Sequence, residues 1–139
     1  MAVMERAGTH YQQQLTADPE QIGRVRRIVA ALLRYWGWSE VIDPALLCVT
    51  ELLANVGSHT CSRECDLRLE ALPLAVRIVV SDDCKSLPVV REVDPLAEGG
   101  RGMLLIAATA DGWGAVPTAT GKSVWAELRS RSSREEAAA

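Results

Sequence analysis

At 139 residues the chain has the length of one domain, enough to bury a single core without metal or disulfide staples. Hydrophobic residues make up 48% and charged residues 24%, and the net charge of −3 argues against a general nucleic-acid binder. No apolar run reaches the roughly 18 residues of a membrane span. No N-terminal stretch follows the basic, apolar and small-residue order of a secretory signal, so a cytoplasmic protein without membrane contact is expected.

Residues 1–10 have no period and read as a flexible leader. Tyr11–Ala17 alternates weakly, as an edge strand does. Asp18-Pro19-Glu20-Gln21 is a helix start: Asp18 caps, Pro19 suits the first helical position, and Gln21 completes a capping-box spacing. Ile22, Val25, Val29, Leu32 and Trp36 follow at steps of three and four, the spacing of one helix face. Gly37 is placed to end this helix in a left-handed cap. Asp43-Pro44 repeats the start signal and predicts a second helix to about His59, with Leu46, Val49, Leu53 and Val56 as its apolar stripe. Glu51, Asn55 and His59 share another stripe.

Asp66–Leu72 alternates as a strand, Pro73 marks a turn, and Leu74–Val80 is a buried strand that closes at Ser81-Asp82-Asp83. Cys84–Arg101 is the longest irregular stretch, the kind of loop that usually carries function. A third helix is expected from Gly102 to about Ala110, followed by strands at Trp113–Val116 and Ser123–Leu128. This order points to an α+β fold, a two-layer sandwich in which a mixed, mostly antiparallel sheet is covered by helices on one face. Residues 11–129 form the domain, and residues 130–139 read as a disordered tail.

Cysteines stand at 48, 61, 65 and 84. In an intracellular chain these are expected to be free thiols. His59, Cys61 and Cys65 do not have a paired zinc-finger spacing, so buried and surface thiols are the better reading than a metal or redox centre.

Three features carry chemistry. Glu51 and Asn55 offer a carboxylate and an amide oxygen one helical turn apart, a donor set that suits magnesium, with the carboxylate able to take a proton. Taken alone, such a pair is more often a solvated helix face. Asp82 closes a strand and can accept a hydrogen bond from an exocyclic amine such as that of adenine, although turn carboxylates are common. Gly99-Gly100-Arg101-Gly102 opens a helix, where backbone N–H groups bind phosphate and Arg101 adds charge-assisted bonds; a hinge is the plainer alternative. No Walker A loop or dinucleotide fingerprint is present.

Together, Glu51-Leu52-Leu53-Ala54-Asn55-Val56-Gly57-Ser58-His59, Val80-Ser81-Asp82, Gly100-Arg101-Gly102-Met103-Leu104-Leu105-Ile106 and Gly121-Lys122-Ser123-Val124-Trp125 resemble the N box and glycine boxes of the histidine-kinase-like ATPase superfamily. Within it the chain is similar to the small anti-sigma-factor serine/threonine kinases, from about Leu15 to Leu128. The resemblance implies a Bergerat-type fold holding ATP and Mg2+, with Asn55 on the metal and Glu51 as general base. It also implies Asp82 on the adenine amine, Gly100, Arg101 and Gly102 on the phosphates, Cys84–Gly99 as lid, and the Ser123 hydroxyl near Asp82. An anti-anti-sigma factor, a sigma factor and a second copy of the chain are the partners it suggests. Its first glycine box departs from D-x-G-x-G: Cys84 and Ser86 replace both glycines, which predicts a stiffer backbone and modest nucleotide affinity. A non-catalytic, nucleotide-dependent module that sequesters a sigma factor is the competing function.

Overall fold

A computed structural model describes residues 10–56, 62–85 and 102–130. Strand β1 (His10–Thr16) leads into helix α1 (Pro19–Tyr35) and a short 3-10 turn (Ser39–Val41). Helix α2 (Ile42–Ala54), strands β2 (Glu64–Ala71) and β3 (Ala75–Asp82), helix α3 (Gly102–Thr109) and strands β4 (Gly112–Pro117) and β5 (Lys122–Arg129) complete the described elements.

The start of α1 follows from its sequence. Asp18 is extended and its side chain accepts from the Gln21 N–H at 2.9 Å, with Pro19 in the first turn. The capping box is altered, because the Gln21 side-chain oxygen takes the Thr16 N–H rather than that of Asp18. Gly37 adopts φ +81°, the left-handed conformation that a helix end requires and glycine tolerates.

Helix α2 differs from expectation at both ends. The 3-10 turn runs straight into it, so it begins at Ile42 without a side-chain cap, and Asp43 sits inside the first turn near the positive end of the dipole. It ends at Ala54, well short of His59. Asn55 is its C-cap, and the last turn tightens as the Val56 N–H reaches Leu53 O at 3.1 Å. His59, Cys61, the expected lid from Ser86 onward, Gly100 and Arg101 lie outside the described residues, as do residues 1–9 and 131–139.

The sheet has the order β1-β2-β3-β5-β4, and each of these pairings is antiparallel. Strand alternation separates its two faces. Tyr11, Leu15, Leu67, Leu69, Val76, Ile78, Val80, Val124, Ala126 and Leu128 point to one side and form a single core with the helices. Val25, Val29 and Leu33 of α1, Val49 and Leu53 of α2 and Ile106 of α3 fill the other half of that core. Burial of this apolar area, worth about 25 cal/mol per Å², is what holds helices to sheet. The opposite face carries Gln12, Asp66, Arg68, Arg77, Trp125 and Glu127. There Arg77 lies over the Trp125 ring at 5.1 Å and bonds Glu127 at 2.8 Å.

Gly121 fixes how β5 enters the sheet. A β-carbon there would stand 1.9 Å from the carbonyl oxygen of Asp82, which only main-chain movement could relieve. Gly121→Ala is therefore expected to destabilise the fold by about 3 kcal/mol, at the upper end of overpacking costs. The midpoint of a denaturant titration measures it, and an unchanged midpoint would show that the two strand ends do not meet so closely.

Candidate functional site

The polar stripe of α2 faces the start of α3. Helix α3 packs against α2 through Met103 and Ile106, both buried, and this brings Gly102 to the last turn of α2. A β-carbon on Gly102 would lie 3.1 Å from Oε2 of Glu51 and 3.2 Å from Oδ1 of Asn55. Two oxygen atoms from α2 thus converge on one helix start, where N–H groups lack intrahelical partners. Asn55 Nδ2 donates to Met103 Sδ at 3.3 Å, and from a β-carbon placed on Gly102 the amide oxygen is the nearer atom at 3.2 Å, the nitrogen lying at 3.5 Å. The backbone holds the pair in register, since the Asn55 N–H bonds Glu51 O at 3.1 Å.

A support not evident in the sequence stands behind Glu51. Arg26 on α1 donates to the hydroxyl of Thr50 and, at 3.4 Å, to Leu46 O. Thr50 in turn donates to Leu46 O at 2.8 Å. This bridge fixes α1 against the turn of α2 that carries Glu51. Arg26 lies off the apolar face of α1, and a lone arginine there gives no signal of its purpose.

Asp82 lies at the end of β3, and the partner it meets was not foreseen. Its cross-strand neighbour is Lys122, whereas Ser123 faces Ser81. Because side chains alternate along a strand, Ser123 projects to the open face, where its hydroxyl bonds that of Ser81 at 2.7 Å. The structure therefore does not bring Ser123 to Asp82. Lys122 occupies that place instead: its Nζ lies 3.0 Å from Asp82 Oδ1 and 3.2 Å from Cys84 O. The Cys84 N–H donates to the same Oδ1 at 2.9 Å, closing an Asx turn over the strand end. Both side chains are buried, Lys122 at 7% exposure and Asp82 at 4%. Removing one partner of a buried pair typically costs about 3–5 kcal/mol, because the other charge is stranded.

The thiols divide into two kinds. Cys48 and Cys65 are free and buried, but Cys84 is disulfide-bonded, contrary to the expectation of four free thiols. Its partner lies outside the described residues. Folding decides such pairings by proximity, which spacing along the chain does not reveal. Burial, and then Glu51, pushes Cys48 up to about 11; burial, and then Asp82 and Asp66, pushes Cys65 up to about 12. Both stay protonated at neutral pH. Iodoacetamide at pH 8 is expected to leave them unmodified in the folded protein and to label both after unfolding, read by mass spectrometry. The raised values also set a sign: their contribution to stability is complete below pH 9 and is lost as the pH rises toward 12.

A hollow of about 610 Å³ opens at the same end of the sheet, lined among others by Thr16, Gln21, Glu64, Asp66, Asp82 and Thr118. Of the described residues that the sequence predicts for the site it touches Asp82, and it contains neither Glu51 nor Asn55. Among the described residues no three His, Cys, Asp or Glu side chains cluster as a metal site. The Glu51 and Asn55 oxygens nevertheless fit magnesium, a hard cation that takes few protein ligands and completes its shell with water and phosphate. No helix among the described residues is long and apolar enough to cross a membrane.

A comparison with curated proteins finds no match. A family model for the histidine kinase-like ATPase domain matches residues 15–128, from the end of β1 to the end of β5. That span contains the α2–α3 junction and Asp82 in an α+β sandwich with an open antiparallel sheet, and the chain belongs to the histidine kinase-like ATPase family of ATP-binding domains.

Proposed function

We propose that this ATP-binding domain is a regulatory protein of the anti-sigma type, which transfers the γ-phosphoryl group of ATP to a serine or threonine of an anti-anti-sigma partner. The observation that carries this reading is the convergence of Glu51 Oε2 and Asn55 Oδ1 on the first residue of α3. Asn55 supplies a hard oxygen for magnesium, which when bound neutralises charge on the phosphate oxygens. Glu51, one turn away, accepts the proton of the attacking hydroxyl. The N–H groups that open α3 at Gly102 face the phosphates, with Gly100 and Arg101 preceding them in sequence. Asp82 receives the exocyclic amine of the base. A cytoplasmic setting, a sigma factor and a second copy of the chain belong to the same proposal.

The second reading is a non-catalytic module that sequesters a sigma factor. It is favoured by the Lys122 ammonium on Asp82 and by Cys84 and Ser86 in place of two glycines. ATP labelled at the γ-phosphate, magnesium and candidate anti-anti-sigma proteins separate the two. Phosphoserine or phosphothreonine on a partner supports the kinase. ATP binding without transfer to any partner supports the module.

A further inference from the structure

Lys122 is a charged residue that the proposed chemistry does not use, yet it is almost completely buried at the end of the sheet where Asp82 lies. Its ammonium meets Asp82 Oδ1 at 3.0 Å, from the strand position directly opposite. An ammonium and the exocyclic amine of adenine are both N–H donors and ask for the same acceptor. Oδ1 already takes two donors, Lys122 Nζ and the Cys84 N–H, and the side chain of Asp82 is nearly closed to solvent. Cys84 O binds the other side of the ammonium at 3.2 Å, so the lysine is gripped by the strand end and by the residue that leads out of it.

We propose that Lys122 is an internal competitor of the nucleobase: it occupies the base-reading carboxylate of the empty domain and sets the ATP affinity low. This rests on the reading above that Asp82 receives the base amine. Binding of the base through Oδ1 then requires the ammonium to leave it and find other partners, and the energy of breaking that contact is subtracted from the affinity. Lys122 acts through Asp82 and is a positioning residue. The hollow that Asp82 lines contains neither Glu51 nor Asn55, so the competition is placed at the base end and not at the phosphate end.

The test is K122S, which removes the ammonium and leaves a hydroxyl able to donate to Asp82. Calorimetry on the full chain is expected to show ATP and adenosine binding about tenfold tighter than wild type, with the affinity for inorganic tripolyphosphate unchanged. A change confined to folding would not separate adenosine from tripolyphosphate. K122R, which keeps a cation on Asp82, serves as a second variant and is expected to bind adenosine no tighter than wild type. Weaker or unchanged adenosine binding by a folded K122S overturns the proposal, as does tighter binding by K122R. If wild type binds ATP in an Asn55-dependent manner and K122S gains nothing, only the role of Lys122 fails. If neither wild type nor K122S binds ATP or adenosine, the assignment of Asp82 fails with it.

Discussion

Asn55→Ala is expected to abolish magnesium-dependent ATP binding, with a loss of affinity above the roughly 100-fold that removing even an outer-shell partner of a metal ligand can cost, because Asn55 is proposed as a direct donor. The physical reason is the shortage of other donors. Glu51 and Asn55 supply the atoms nearest to the start of α3, and among the described residues no group of three His, Cys, Asp or Glu stands as an alternative metal site. The fold should tolerate the change. Asn55 follows the last turn of α2, its backbone bond to Glu51 O does not need the side chain, and the Met103 contact it loses is a weak one to sulfur. A stability loss of about 1 kcal/mol is expected. Titration calorimetry with and without magnesium reads the binding, and a thermal melt reads the fold. Asn55→Asp, which keeps an oxygen at the same place, is expected to retain magnesium dependence. Unchanged ATP affinity in Asn55→Ala would remove this residue from the site.

Glu51→Gln separates chemistry from binding. The amide has the shape of the carboxylate but cannot take a proton at neutral pH. Phosphotransfer to a partner is expected to fall by about 10²–10⁴, the range that a positioned general base contributes. ATP affinity should change less than about threefold, because Asn55, Gly102 and Asp82 are untouched. The measurement pairs single-turnover transfer with equilibrium binding. An unchanged transfer rate would show that Glu51 is not the base. A large loss of affinity would place it among the phosphate or metal contacts instead.

Much of the fold was legible in the sequence. Asp18-Pro19 and Gly37 bracket α1 because cap chemistry is local: a carboxylate reaches an N–H three residues on, and glycine tolerates φ +81°. The strands are visible because Leu67, Leu69, Val76, Ile78 and Val80 must alternate toward one core. The end of α2 was missed, since Asn55 and Val56 continue an apolar and polar period that the helix does not follow. Where the apolar pattern persists, only the tightened turn at Val56 reveals the stop.

The site was legible in its parts and not in its pairings. Glu51 and Asn55 could be placed on one stripe from their spacing alone, because 3.6 residues per turn decides that locally. Gly102 as their counterpart was suggested by order along the chain and realised by the packing of α3 on α2. Asp82 was identified, but its neighbour was assigned one residue away. A register step of one moves a side chain to the other face of the sheet, and this register depends on how the non-consecutive strands β3 and β5 meet at Gly121. By itself, the sequence determined the elements, through local periodicity and cap chemistry, and the residue types at the site, whose order along the chain carries the family resemblance. Tertiary structure alone decided that Lys122, and not Ser123, meets Asp82, because cross-strand register is set by contacts between segments some 40 residues apart.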